Sequence, residues 1–460
     1  MACDDAAVFE GLRLFTQETF GGNGRTCATC HPPTHNFTID PAYIGTLPAD
    51  DPLFVAENNP KLRSLERPEL LRQEGLISVN VDGFGRPAVS RSVPHLHGLS
   101  QSIKPGATPF PSAHMTGWSG DGSPGPGSLR TFAMGAVRQH FTRTIARRAC
   151  GSATYNPDQC DFRMPSEAEL NALQEFQLFL GRQSEINIEP YSNNPGEIVF
   201  RDWDVEYGKM LFHTVAGGEN LSCASCHRNA GANDQDGNGT LFDVGANKDP
   251  RIPACLDPGK VPGDGGFGRV TQATASGKAI CGTAKDFNIV FTGDNRFNTP
   301  SVIEAADTGP FFHNNIVNTI EDAVAFYSDA AFAGSEAAKG VAFQFLPEEQ
   351  QQIAAMLRTV NALDNMNNSD RFDLLALRGA ASQPTLTKLV IKIAASETKD
   401  AIGVLTGSPL PIYADTDVIS LLNQALAEEQ QAITAWNPQL MYRAVNLRKR
   451  ARAEMIRSRE

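Results

Sequence analysis

No stretch of this sequence is apolar for long enough to cross a bilayer, which takes about 20 consecutive residues, and no apolar signal segment opens it. Basic residues are the minority, with 40 Lys and Arg against 52 Asp and Glu. The resulting net charge of −12 argues against nucleic acid as a partner. It suits a small basic redox protein instead. Strand signals are sparse, so helices must build the core. Apolar residues at 41% and charged residues at 20% still give 460 residues enough core for two or three domains.

Glycine and proline are plentiful, 40 and 29 respectively, as expected where loops wrap a cofactor. The nine cysteines are more telling. Four fall in Cys27-Ala28-Thr29-Cys30-His31 and Cys223-Ala224-Ser225-Cys226-His227. Cys-x-x-Cys-His is the covalent attachment signal for c-type haem. Two thiols on one turn each add to a vinyl group of one porphyrin, and the adjacent imidazole reaches the iron. A single copy would also fit a zinc site or a redox dithiol. Two copies predict two haems, with His31 and His227 as proximal iron ligands.

Attachment of this kind takes place outside the cytoplasm, so a periplasmic or otherwise exported location is expected, where disulfides persist. Cys150 with Cys160 and Cys255 with Cys281 flank short loops, and each pair reads either as a disulfide or as two buried thiols. Cys3 follows Met1-Ala2 directly. The chain reads as a mature form given a new start methionine, as one numbered after a removed export signal, or as one tethered to a membrane through lipid on Cys3.

The motifs sit in matching surroundings. VFEGLRLF precedes the first and DVEYGKMLF the second, with Gly11 at the offset of Gly208 and Leu14-Phe15 at that of Leu211-Phe212. A glycine within a helix costs stability, so its recurrence predicts close approach to another helix or to haem. Each unit closes with an amphipathic helix, near 165–182 and 346–363. Ser166 is placed as an N-cap with Glu169 at the capping-box position. The expected fold is mainly α, with cytochrome c-like haem domains at 1–190 and 191–366 and a helical extension at 367–460. Helices are expected at 384–406 and 415–436, with a break at Asn437-Pro438. The basic stretch from Arg443 to Arg459 reads as a solvated helix packed on the second domain.

Residues 297–327, FNTPSVIEAADTGPFFHNNIVNTIEDAVAFY, resemble the second-haem signature of the bacterial dihaem cytochrome c peroxidase and MauG superfamily. The resemblance covers roughly residues 5–365. It implies a redox enzyme, peroxidase-like, that reduces hydrogen peroxide or activates another small oxidant at haem one, with electrons delivered through haem two. A plain electron carrier and an oxygenase acting on a hydrophobic substrate remain alternatives.

In this family a ligand follows the motif histidine by fourteen residues. From His313 that is Tyr327, either the distal ligand of haem two or an ordinary aromatic on the face of Ile320 and Val324. His313 itself is implied as a pocket residue. The family's calcium site maps to Thr308 and Pro310, with Ser92 near the place of an asparagine. Asp234-Gln235-Asp236-Gly237-Asn238-Gly239 separately resembles half a calcium loop or a polar turn. Trp118 to Gly122 resembles the family's Trp-Asp-Gly-Arg, and Thr116 and Thr131 take the places of its glutamine and glutamate. Leu47 stands where a histidine caps the resting first haem, leaving His95, His97 and His114 as distal candidates. His95 has the best register. Trp203 is implied as a bridge between haems, or else packs in the core.

Overall fold

Four helices frame the first unit: α1 (Asp5–Gln17), α2 (Cys27–Cys30), α3 (Leu129–His140) and α4 (Glu167–Leu180). The structure is a computed structural model. It describes the chain apart from residues 1–4, 81–82, 86–87, 99–128, 181–185, 191–195, 217–220, 233, 236–239, 250–265, 267–272, 278–286, 292–294, 342 and 459–460. The apolar face of α1 buries Val8, Phe9, Leu12, Leu14 and Phe15, largely against α4. Gly11 lies at the crossing, where a Cβ would stand 2.1 Å from the carbonyl oxygen of Ala172. α4 begins as expected: the Glu169 amide donates to Ser166 Oγ and the Ser166 amide to Glu169 Oε2.

The second unit repeats this plan with α5 (Trp203–His213), α6 (Cys223–Cys226), α7 (Ile320–Phe326) and α8 (Pro347–Gly379). α5 crosses the start of α8 at Gly208, whose added Cβ would stand 2.0 Å from the carbonyl oxygen of Gln352. The recurring glycine therefore marks helix against helix in both units. Their equivalence extends from the sequence to the packing.

Three further helices form the extension, α9 (Pro384–Thr406), α10 (Val418–Thr434) and α11 (Pro438–Met455). The boundary read at 366 falls inside α8, which runs unbroken for 33 residues. Its Asn-rich stretch looks like a break because asparagine usually competes with the helical backbone. Here Asn361, Asp364, Asn365, Asn368, Ser369 and Asp373 form an inward stripe, each at most 1% exposed. Their side chains bond other segments. Ser369, for example, donates to the carbonyl of Ala394 on α9.

The extension also packs on more than the second unit. Leu386, Val390 and Ile393 of α9 join the core of the first unit, whereas Ala401, Val404 and Leu405 join that of the second. α11 divides in the same way, Leu440 and Met441 to the first and Ala451 and Met455 to the second. Each buried leucine or isoleucine contributes about 1.5–3 kcal/mol, so this seam is a substantial part of the fold. Nor is α11 solvated throughout. Arg448 is fully buried, bonding Asp370 at 2.7 Å, Glu429 at 2.5 Å and also Asp373. Three carboxylates compensate its desolvation, which a reading of charge alone does not reveal.

Sheet is minor. Among the described residues every sheet has two strands. β1 (Leu76–Val79) pairs antiparallel with β2 (Val89–Ser92), and β3 (Ile198–Phe200) with β4 (Ile456–Ser458). The Cys150–Cys160 pair is a disulfide. Cys3, Cys255 and Cys281 lie outside the described residues. Among the described helices none is long and apolar enough to cross a membrane.

Candidate functional site

The two Cys-x-x-Cys-His turns are built alike. Thr26 and Ser222 cap α2 and α6, and each gives its amide to a hydroxyl inside the motif, Thr29 Oγ1 or Ser225 Oγ, at 2.9 Å. The small hydroxyl residue between the cysteines therefore closes the turn. His31 and His227 follow at the C-cap, donating their amides to Cys27 and Cys223 at 3.0 and 2.9 Å. Each imidazole is then fixed by a carbonyl: His31 Nδ1 donates to Phe37 at 2.8 Å and His227 Nδ1 to Pro300 at 3.0 Å. A carbonyl only accepts, so Nδ1 carries the proton and Nε2 is left with its lone pair, the form that ligates a metal. Burial also holds both rings neutral, pulling each down to about 4.

The four motif thiols are unpaired by disulfide. Burial, and then the neighbouring motif cysteine, pushes Cys27 and Cys223 up to about 12. A redox dithiol needs the opposite shift. Structural zinc needs four ligands, and among the described residues the cluster of potential metal ligands contains no cysteine. Covalent haem fits these residues better than either.

A cavity of about 260 Å³ opens beside the second motif, lined by Cys223, Cys226 and His227 together with Tyr327 and His313. Phe297, Phe312 and Leu357 make much of its wall apolar. Tyr327 sits at the C-cap of α7, its ring 5.0 Å from that of Phe332. Burial, and after it the Cys226 and Cys223 thiols, raises its phenol above the ordinary tyrosine value. His313 stacks on Phe297 at 3.8 Å and bonds Asn247 Oδ1 at 3.0 Å. It is a wall residue, as expected.

Thr308 and Pro310 line the same cavity. Ser92 Oγ donates to the Phe312 carbonyl at 3.2 Å, so the hydroxyl at the asparagine position is already engaged. Thr308 Oγ1 is likewise engaged, donating to the Glu304 carbonyl at 2.5 Å. Asp236 to Gly239 of the other calcium-like loop lie outside the described residues.

The first motif has different surroundings. Leu47 and Cys30 both pack against the buried cluster that includes Ile39 and Val93, so an apolar side chain stands where the family pattern has a histidine. His95 is buried with both ring nitrogens engaged: Nδ1 accepts the His97 amide at 3.2 Å and Nε2 donates to the Ser301 carbonyl at 3.3 Å. The Pro94 backbone also bonds His31. His95 therefore has no ring nitrogen left to offer a metal. Thr131 is exposed on α3. His114, Thr116 and Trp118 lie outside the described residues. Trp203 is 68% exposed and stacks on Tyr207, so it lies at the surface rather than between the units.

One residue escapes sequence reasoning. His140, in the last turn of α3, lies near enough to His31 to disfavour its charging, and its Nδ1 is 3.7 Å from Glu66 Oε1. Glu66 in turn pairs with Arg25 at 2.8 Å, two residues before the motif. The only sequence signal is a histidine between Gln139 and Phe141, which is not a specific one.

No protein-family model matches this chain, and no curated protein sequence does.

Proposed function

We propose that the chain binds two haems covalently, through Cys27 and Cys30 and through Cys223 and Cys226, and works as a peroxidase-like dihaem oxidoreductase. The duplicated capped turn, with each histidine held by a carbonyl at Nδ1, is the observation that carries this reading. Haem bound there would supply an iron that binds small oxidants and exchanges electrons. His31 and His227 would hold the two irons through Nε2. Tyr327, in the cavity beside His227, would be a second iron donor at that site, where a phenolate would favour the ferric state.

Oxidant acts at the first site, where apolar Leu47 takes the place of a capping histidine. The classical acid–base glutamate is absent, since Thr131 is an exposed hydroxyl. We assign acid–base help at the first site to His140, which lies near His31 with its Nδ1 3.7 Å from Glu66 Oε1. Electrons enter at the second haem from a small basic redox protein, to which the net charge of −12 is complementary. The setting is an exported compartment, with lipid on Cys3 as a means of tethering. The missing glutamate favours a second reading, an oxygenase of the same superfamily acting on a hydrophobic substrate.

Mass spectrometry of the matured chain should show two haem additions, and a single addition would overturn the duplication. Spectra with cyanide or carbon monoxide should change at the first haem only. If neither ligand binds, the chain is an electron carrier.

A further inference from the structure

Away from both motifs, every part of the chain contributes to one buried cluster. His97 comes from the first unit, on the segment after Pro94. Glu304 comes from the corresponding segment of the second unit, after Pro300. Asp364 projects from α8 and Glu397 from α9 of the extension. All four are at most 1% exposed. Potential ligand atoms of His97, Glu304 and Asp364 lie within 4.8 Å of one another. His97 Nε2 is 3.9 Å from Glu397 Oε1, and Nδ1 is 3.8 Å from Asp364 Oδ2.

Two observations separate this from an ordinary acidic cluster. First, His97 Nε2 and Glu397 Oε2 have no hydrogen-bond partner among the described residues, although both side chains are buried. A buried polar atom left unpaired costs about 1–3 kcal/mol. Second, neither Glu304 nor Glu397 has an ion-pairing lysine or arginine among the described residues. Asparagines hold the cluster in shape: Asn361 and Asn365 donate to Glu304 at 2.8 Å and 3.1 Å, and Asn368 to His97 Nδ1 at 2.8 Å. Such a cluster must hold either protons or a cation.

We propose that His97, Glu304 and Asp364 form a site for one divalent first-row transition-metal cation, with Glu397 beside it. An imidazole among carboxylates suits Mn²⁺, Fe²⁺ or Zn²⁺ better than Ca²⁺, which takes oxygen alone. Bonds of about 2.0–2.2 Å put neighbouring ligand atoms roughly 3.4 Å apart, so pairs now within 4.8 Å must close by up to about 1.4 Å, within side-chain reach. The cation crosslinks first and second units at their junction with the extension. This site stands apart from the haem reading: His97, a distal candidate by sequence, has Nδ1 bonded by Asn368 and Nε2 beside Glu397.

The test uses the full chain, stripped with EDTA and then incubated separately with MnCl₂, ZnCl₂ or CaCl₂. Elemental analysis reads Mn, Zn and Ca separately from haem iron. The wild type should retain about one Mn²⁺ or Zn²⁺ per chain, with a Tm that rises on metal addition as ligand binding to the native state requires. Glu304→Gln and His97→Gln should each weaken retention by about tenfold or more and abolish the metal-dependent rise in Tm. A wild type that retains neither metal and shows no rise overturns the site, and leaves carboxyl groups sharing protons. Retention of Ca²⁺ alone overturns the donor assignment. Full retention by both variants overturns the ligand set.

Discussion

At the scale of the residue, the clearest position is Tyr327. It occupies the wall of the cavity beside His227, so Tyr327→Phe should change the spin state of the second haem in the electronic spectrum and leave the first unaltered. An unchanged spectrum would make it a packing residue. His140→Gln tests the other haem: losing a general acid–base group should lower peroxide turnover by about 10²–10⁴-fold without loss of cyanide binding. Equal turnover in variant and wild type would remove His140 from the chemistry. Glu169 gives a pH dependence. Burial alone would raise its carboxyl, but bonds from Arg163 and Ser166 outweigh this and hold it at about 2. Its stabilisation is therefore full above the usual carboxylate range and fades as pH falls toward 2. Melting curves from pH 7 to 2 should show a shallower decline for Glu169→Gln than for the wild type. The paired motifs are legible in the sequence because their spacing is fixed by covalent chemistry, whereas Tyr327 is reached only through the family register counted from His313. His140 is not, since its closeness to His31 comes from the tertiary fold.

At the scale of the element, glycine distinguishes crossings from open faces. Gly208→Ala would press a methyl group into the backbone of α8 and should destabilise the protein by about 1–3 kcal/mol. Gly135 lies in the middle of α3 with nothing near its Cβ position, so Gly135→Ala should stabilise by about 0.5–1 kcal/mol. Denaturant titration of both variants checks the contrast, and a loss of stability in both would deny the crossing its special status. The correspondence of Gly11 with Gly208 is legible in the amino-acid sequence itself, because close contact demands the smallest residue. The continuity of α8 is not. Asn361, Asp364, Asn365 and Asn368 recur at helical spacing, yet a polar stripe is ordinarily taken to face water. Only the partners on other segments show that it faces inward.

At the scale of the whole molecule, the extension joins the two units. Its helices divide their apolar residues between two cores, so no single amphipathic stripe announces the arrangement. Arg448 is the polar counterpart of that seam. Arg448→Met would leave Asp370, Asp373 and Glu429 without their cation and should cost about 3–5 kcal/mol, measured as a lowered denaturation midpoint. A midpoint equal to that of the wild type would show the network to be dispensable. The pairing of β3 with β4 has a consequence for how the chain is assembled. Arg201 and Ile456, 255 residues apart, meet at this clasp, where Arg201 Nε donates to the Ile456 carbonyl at 3.3 Å. During synthesis β3 emerges long before its mate, and an unpaired strand edge recruits other chains. Every nascent copy passes through an interval of exposure to aggregation, which ends only when the distant partner strand arrives.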